Sequence, residues 1–359
     1  MSIRLLNFYL KKTNNFLKLM NANVYMWYSC HRFQDLTKIL RFYGVRGSSP
    51  DVLFFGDSVL ERISKFDKNT KTLDQMVTGY LDDQISMGCV SHTGYHIGVY
   101  YQFTRLLQYL TNKPKIVVFP INMRSFSPQW DINPKHRCTE HIRKIEKCIG
   151  KFGNSINECL HGIDKKISEN DFLNSRVFYA GTSFQYIKEF ENIIRAKPEH
   201  RDEIIFRRKH IFIYHYMHKL EPTHQKLLLL RDLIQLLKDM QIVTIIYIAP
   251  INFKAGLKYV GDDFMRVFSS NLQVVYDCLG CTSQSALNNS IFVEERSCVF
   301  GDYSQSLGSE YFFNEDDPTE HLNETGRTFM AKIISNMIFE AFKLVKNESV
   351  VPAGTRCCL

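Results

Sequence analysis

The sequence predicts an α/β fold in which a mainly parallel sheet is covered by helices on both faces. Short apolar runs of strand length alternate with stretches that have helical periodicity. Strands and helices that alternate in this way pair into parallel sheets through right-handed crossovers. The chain has 359 residues, of which 45% are hydrophobic and 23% charged, and this composition excludes a disordered, collagen-like or disulfide-dependent protein.

The first three predicted strands lie in the N-terminal third of the chain. An apolar run at 51–55 ends in a Gly-Asp-Ser turn, which indicates a buried strand that enters a helix at 59–64. A second strand is predicted at 85–90 and is followed by a helix over 94–110. Pro114 ends that helix, and the third strand is predicted at 115–120.

The character of the sequence changes between residues 131 and 220, which are rich in Lys, His and Glu and show no convincing buried strand. We expect a mostly helical insertion there. The α/β order resumes with a helix at 223–240 and a strand at 242–249. A last strand at 298–302 and an amphipathic helix at 325–344 complete the predicted fold.

The chain has a formal charge of +8, and its basic stretches are not interleaved with aromatic residues, so we expect no nucleic-acid partner.

The N-terminal segment is basic and aromatic, and its first acidic residue is Asp35. Packing of this segment on the domain is the favoured interpretation, and peripheral membrane contact through residues 1–34 is the alternative. No secretory signal or membrane-spanning run is seen, so the expected location is cytoplasmic.

The ten cysteines do not define a metal site. Cys278 and Cys281 form a lone CxxC pair without a second pair at metal-binding spacing. We therefore expect reduced thiols, no metal and no cofactor.

Polar residues with catalytic potential lie next to the predicted strand ends and before the last helix. Ser58 directly follows the first strand, and Asn122 follows the third. His321 lies in a loop before the last helix, with the acidic residue Asp317 four positions earlier. Taken singly, these residues are more often a helix cap, a turn and a surface histidine. Together they supply a nucleophile, an oxyanion donor, a base and an orienting carboxylate, which are the parts that acyl transfer needs.

These residues lie in sequence blocks that resemble the SGNH (GDSL-like) hydrolase superfamily. The blocks are Phe55-Gly-Asp-Ser58, Gly94, Asn122 and the terminal block from Asp317 to His321, and their order and spacing agree with the family pattern. The resemblance implies a flavodoxin-like three-layer α/β/α sandwich. It also implies that Ser58 is the nucleophile, His321 the general base and Asp317 its orienting partner. The oxyanion hole would consist of the Ser58 and Gly94 N–H groups and the Asn122 side chain.

Two departures from the family pattern affect the site. The family places the aspartate three residues before the histidine, but Pro318 stands there, so Asp316 or Glu320 could replace Asp317, or a Ser-His dyad could operate. The aspartate that commonly follows the third-block asparagine is also missing. Arg124 lies in that loop, where it could bind an acidic substrate group or form a structural ion pair.

The predicted function is that of a serine esterase or deacylase acting on an acyl ester of a glycan, lipid or small metabolite. The alternatives are an O-acyltransferase that uses a glycan hydroxyl as acceptor and a non-catalytic SGNH-like binding protein.

Because the blocks lie on both sides of residues 131–220, we expect one domain over 49–345 that this insertion interrupts. An extension at 1–48 would precede it and a tail at 346–359 would follow it.

Overall fold

The computed structural model describes residues 33–44, 47–81, 83–133, 135–152, 167–281, 292–294 and 298–348. Within these ranges the chain forms one six-stranded sheet with helices on both faces. The expected extension at 1–48 lies mostly outside the described residues, as does most of the expected tail at 346–359. The described part of the N-terminal region contains helix α1, Gln34–Tyr43.

The strands are β1 (Val52–Gly56), β2 (Met87–Ser91), β3 (Ile116–Ile121), β4 (Val243–Ile248), β5 (Phe292–Glu294) and β6 (Cys298–Asp302). Their spatial order is β2-β1-β3-β4-β6-β5. The first five strands in this order are parallel, and β5 pairs antiparallel with β6 at the edge. The five parallel strands follow the flavodoxin-like order, so the predicted fold class is confirmed.

The remaining helices are α2 (Ser58–Glu61), α3 (Leu73–Tyr80), α4 (Ile97–Leu107), α5 (Pro128–Ile132), α6 (Thr139–Phe152), α7 (Glu169–Leu173), α8 (Ile187–Arg195), α9 (Arg201–Tyr216), α10 (Gln225–Asp239), α11 (Phe253–Val260), α12 (Asp262–Leu279) and α13 (Glu324–Glu348). Two short 3₁₀ turns occur at Met123–Phe126 and Ser309–Tyr311. Helices α6 to α9 lie in the described part of the region 131–220 that we expected to be a helical insertion, and α5 ends at its start.

The central strands are buried on both faces, which explains why they are continuous apolar runs rather than alternating ones. Along β1, Leu53 and Phe55 join the core on one face of the sheet, which includes residues of α1, α4, α6 and α10. Val52 and Phe54 join the core on the other face, under α3 and α13. The alternation of side chains along each strand thus divides one apolar run between two helical layers.

This topology brings the carboxyl ends of β1, β3, β4 and β6 to the same edge of the sheet. Loops that leave this edge are the usual location of chemistry in open α/β sheets. Among the described residues, no helix is both long enough and apolar enough to cross a bilayer.

Candidate active site

Ser58 and His321 meet at the carboxyl edge of the sheet although 263 positions separate them in the sequence. Ser58 Oγ lies 3.1 Å from His321 Nε2. Strand β1 delivers Ser58 to the first position of α2, and His321 lies three residues before α13. A distance of 3.1 Å is within hydrogen-bond reach, so the imidazole is placed to accept the serine proton.

The other ring nitrogen of His321 faces a hydroxyl. Thr319 Oγ1 lies 3.2 Å from His321 Nδ1, and it also accepts a hydrogen bond from the His321 backbone N–H at 3.0 Å. The tautomer with a proton on Nδ1 donates to Thr319 and leaves a lone pair on Nε2 facing Ser58. Thr319 therefore fixes both the backbone and the ring of the candidate base.

Asp317 does not contact this ring, contrary to the role that the resemblance implied. Its carboxylate accepts a hydrogen bond from Asn314 Nδ2 at 3.0 Å and lies 3.4 Å from Arg208 Nε. The physical reason is local: Pro318 lies between Asp317 and Thr319, and Arg208 on α9 attracts the carboxylate away from the ring. Asp316, an alternative, binds Arg208 and Lys258.

Asn252, at the start of α11 after β4, holds the loop that contains Thr319. Its side-chain amide donates to the carbonyls of Asn314, Glu315 and Asp317 at 3.3, 3.0 and 3.1 Å. Its backbone N–H donates to the Thr319 carbonyl at 3.3 Å. One buried asparagine thus replaces the regular hydrogen bonding that this loop lacks.

Burial lowers the pKa of His321 to about 4, with Arg62 and Arg124 acting in the same direction and Glu320 opposing them. The ring is therefore neutral at pH 7, as a general base must be. Glu320 is almost fully buried, and its carboxylate accepts hydrogen bonds from Arg124 and Tyr216. Its negative charge favours the imidazolium that forms during proton transfer.

Asn122 and Asp57 form a buried pair beside Ser58. Asn122 Nδ2 donates to Asp57 Oδ2 at 3.1 Å, while Asp57 Oδ1 accepts from the Val59 N–H at 2.8 Å and caps α2. Burial raises the pKa of Asp57 to about 6, against the opposing effect of these two hydrogen bonds. One N–H of the Asn122 amide donates to Asp57, and the other has no partner among the described residues.

Gly94 follows β2, whose last residue is paired with the last residue of β1. Its φ of +91° is unfavourable for a residue with a Cβ, although a Cβ would meet no other atom within 4 Å. Within the described ranges, the backbone N–H groups of Gly94 and Ser58 donate to no other residue. Both are thus uncommitted donors next to β1, as an oxyanion hole needs.

Arg124 lies in the loop after β3, where its Nη1 contacts Glu320 at 3.3 Å. Of the two roles considered from sequence, the structure shows the ion pair. Its Nε has no hydrogen-bond partner among the described residues.

Four residues that support the site were not assigned roles from the sequence. Thr319 and Asn252 are ordinary loop residues by type. Asp67 and Arg327 form an ion pair across 260 positions, and Arg327 also donates to the carbonyl of Leu322, the residue after His321. The available signals were weak: Asn252 directly follows the β4 run, and Thr319 precedes the histidine by two residues. Only the tertiary fold shows that these side chains converge.

Among the residues that the structure describes, no group of three or more His, Cys, Asp or Glu side chains is arranged to hold a metal ion.

No family model and no curated protein match the chain. Among solved structures, a catalytic mutant of an acetylxylan esterase from Geobacillus stearothermophilus aligns at 12% identity, with a TM-score of 0.35, over 81% of this chain and 95% of that chain. Another mutant from the same organism, described as an acetyl-xylooligosaccharide esterase, also aligns at 12% identity and a TM-score of 0.35, over 83% of this chain and 96% of that chain. Similarity at this level does not transfer an activity to this chain.

Proposed function

We propose that this protein is a serine-dependent ester hydrolase in which Ser58 is the nucleophile and His321 the general base. The observation that supports this proposal most directly is the 3.1 Å contact between Ser58 Oγ and His321 Nε2. A buried, neutral imidazole beside a half-buried serine is the arrangement that activates a hydroxyl for attack on an acyl carbon.

The proposed reaction has two halves. Ser58 Oγ attacks the ester carbonyl carbon while His321 Nε2 accepts the serine proton, and the carbonyl oxygen becomes an oxyanion. The tetrahedral intermediate collapses as His321 returns the proton to the leaving alcohol oxygen, which leaves an acyl-Ser58 ester. Water then attacks this ester by the same steps in reverse and releases the acid.

The oxyanion would be bound by the uncommitted N–H groups of Ser58 and Gly94 and by the second N–H of the Asn122 amide. Each fixed donor of this kind lowers the barrier by about 3 kcal/mol. Asp57 contributes indirectly, because its hydrogen bond fixes the plane of the Asn122 amide. We assign the orienting role to Thr319, so the reactive unit is a Ser-His dyad supported by a hydroxyl.

The substrate class that we propose is an acyl ester of a glycan, a lipid or a small metabolite. Transfer of the acyl group to a glycan hydroxyl would use the same acyl-enzyme, but no contact among the described residues favours a second substrate over water. A purely binding role for the scaffold is less consistent with the Ser58–His321 contact, because binding alone does not require a neutral base at the serine.

Substitution of the nucleophile tests this proposal. We expect Ser58→Ala to reduce kcat for p-nitrophenyl acetate by at least about a thousandfold, because among the described residues no other hydroxyl lies within hydrogen-bond distance of His321 Nε2. The matched control is Ser183→Ala, which removes an exposed hydroxyl from the loop before α8. Equal rates for Ser58→Ala and the wild-type protein would refute the proposal.

A further inference from the structure

The segment 62–71, which we call the basic loop, follows the helix that begins with Ser58. It contains four exposed cations, Arg62, Lys65, Lys68 and Lys71. In the described part of the chain, none of the four forms an ion pair with a carboxylate. The acidic residue of this loop, Asp67, is neutralised internally by the buried Arg327, with an Nη1–Oδ2 distance of 2.6 Å.

The basic loop is attached to the Ser58 backbone at one end and to the start of α13, close to His321 in the sequence, at the other. At one end, the Arg62 N–H donates to the Ser58 carbonyl at 3.0 Å. At the other end, Glu324 Oε2 accepts from the N–H groups of Lys68 and Asn69 at 3.0 and 3.1 Å. Glu324 is three residues after His321, so the loop has a fixed position relative to both candidate catalytic residues.

Arg327 strengthens the same attachment. Its guanidinium is fully buried and donates to Asp67, to the Asn69 carbonyl at 2.8 Å and to the Leu322 carbonyl at 3.1 Å. One cation thus links the basic loop to the residue that follows His321. A rigid surface of this kind loses little conformational entropy when it binds a ligand.

Phe66 is the most exposed large hydrophobic side chain described, at 79% of its accessible surface. Lys65 Nζ lies 4.9 Å from the centre of its ring. A single exposed ring offers little of the apolar area through which membrane-surface segments insert into a bilayer, so membrane contact of this loop would rest mainly on its charges. A ring bordered by cations that lack a carboxylate partner is suited instead to a sugar that bears negative charge, because a free ring face packs on the sugar while the cations bind its acidic groups.

We propose that the basic loop binds an acidic carbohydrate, through its carboxylate groups, in the alcohol part of the ester substrate. This inference rests on the proposed esterase function and specifies its substrate class. Arg62 is nearest in sequence to Ser58 and would contact the carboxylate closest to the scissile ester. Lys65, Lys68 and the Phe66 ring would bind the sugars further along the chain.

A binding measurement tests the loop separately from catalysis. The full-length Ser58→Ala protein should bind oligogalacturonate in calorimetry, and its affinity should fall as the salt concentration rises. Adding Arg62→Gln, Lys65→Gln and Lys68→Gln should weaken binding at least about tenfold, since three unpaired cations are removed. The matched control, Lys188→Gln with Lys197→Gln, removes two exposed lysines of the α8 region and should bind as the parent does.

A kinetic comparison tests the link to the active site. In the wild-type protein, which keeps Ser58, kcat/KM should be higher for acetylated oligogalacturonate than for acetylated xylo-oligosaccharide, so the ratio of the two should exceed one. The triple substitution in the basic loop should lower this ratio about tenfold, while the α8 control keeps it. Phe66→Ala should raise KM for the acidic ester more than it changes kcat.

Several outcomes would overturn the inference. Equal oligogalacturonate binding by the Ser58→Ala parent and its triple variant would do so, as would absence of binding by the parent. Sedimentation with vesicles containing phosphatidylserine provides the lipid comparison: loss of vesicle binding in the triple variant, with no loss of sugar binding, would assign the loop to a membrane instead. Failure of the esterase function is distinguishable, since it would abolish hydrolysis of every ester but leave oligogalacturonate binding intact.

Discussion

At the scale of single residues, the hydroxyl of Thr319 occupies the position at His321 Nδ1 that a carboxylate occupies in a Ser-His-Asp triad. A hydroxyl can fix the tautomer and the ring orientation, but it carries no charge to stabilise the imidazolium. The buried Glu320 carboxylate supplies that charge without contacting the ring nitrogen. In the proposed mechanism, two neighbouring residues would therefore share the two functions that one aspartate performs in a triad.

The first prediction concerns this division. We expect Thr319→Val to lower kcat about tenfold or more with little change in KM, because the ring loses its hydrogen bond but the substrate loses no contact. Thr319→Ser should retain most of the activity. Steady-state kinetics on p-nitrophenyl acetate measure both effects.

Asp317→Asn is the comparison variant for Thr319→Val, because the Asp317 carboxylate contacts Asn314 and Arg208 rather than His321. We expect its kcat to stay within about twofold of the wild-type value. A large loss of kcat in Asp317→Asn, with full activity in Thr319→Val, would return the orienting role to the aspartate.

The second prediction is the pH dependence of the reaction. Burial lowers the pKa of His321 from its ordinary value of 6.5 to about 4. Since only the neutral ring accepts the serine proton, kcat/KM should be constant above about pH 5 and should fall as the pH decreases through about 4. A pH profile of kcat/KM measures this fall at low pH, after the background rate of Ser58→Ala is subtracted at each pH. A midpoint near 6.5 would show that the ring is not desolvated in the free enzyme.

The sequence allowed prediction of the Ser58–His321 pair but not of the residue that contacts the other nitrogen of His321. Ser58, Gly94, Asn122 and His321 follow from motif order, and the structure brings Ser58 and His321 into contact. The sequence could not show that Thr319 rather than Asp317 contacts His321. This outcome depends on Arg208, 109 positions before Asp317, which attracts the Asp317 carboxylate in the folded chain.

At the scale of elements, five of the six described strands lie within one or two residues of their predicted positions, and the central ones are apolar runs with distinct ends. The predicted strand at 298–302 has the bounds of β6, whereas the short edge strand β5 was not predicted. Helix α2 is shorter than predicted and ends at Glu61, since the chain turns there into the basic loop. That loop has no periodic pattern, and its position depends on long-range contacts with α13.

The third prediction tests how the basic loop is attached to α13. Asp67→Asn leaves the fully buried Arg327 guanidinium without its counter-ion, so we expect the free energy of unfolding to decrease by about 3 kcal/mol. Glu340→Gln removes the partner of Lys343 in an exposed pair and should change stability by less than about 1 kcal/mol. Urea denaturation at neutral pH compares the two variants.

Equal stability of Asp67→Asn and Glu340→Gln would show that the buried pair does not hold the loop. If Asp67→Asn destabilises the protein as expected, its kcat should also decrease at temperatures where it is folded. The reason is that the same network positions the residues that follow His321.

At the scale of the whole molecule, the candidate site is assembled from two parts of the chain that are far apart in the sequence. Ser58, Gly94 and Asn122 come from the segment before α5, and Asn252, Thr319 and His321 come from the segment after α10. Strand β4 joins the two groups by pairing with β3. The single domain over 49–345, interrupted by an insertion, remains a prediction. The alternation of strands and helices predicted the sheet type, whereas the strand order required the three-dimensional structure.

The most direct test of the central claim is the location of a covalent adduct. We expect a fluorophosphonate probe to add one phosphonyl group per protein molecule and peptide mass spectrometry to place it on Ser58. His321→Gln should slow this labelling at least about a hundredfold, because the serine loses its base. An adduct on another residue, or labelling of Ser58 at an equal rate in His321→Gln, would contradict the proposal that this pair is the reactive centre.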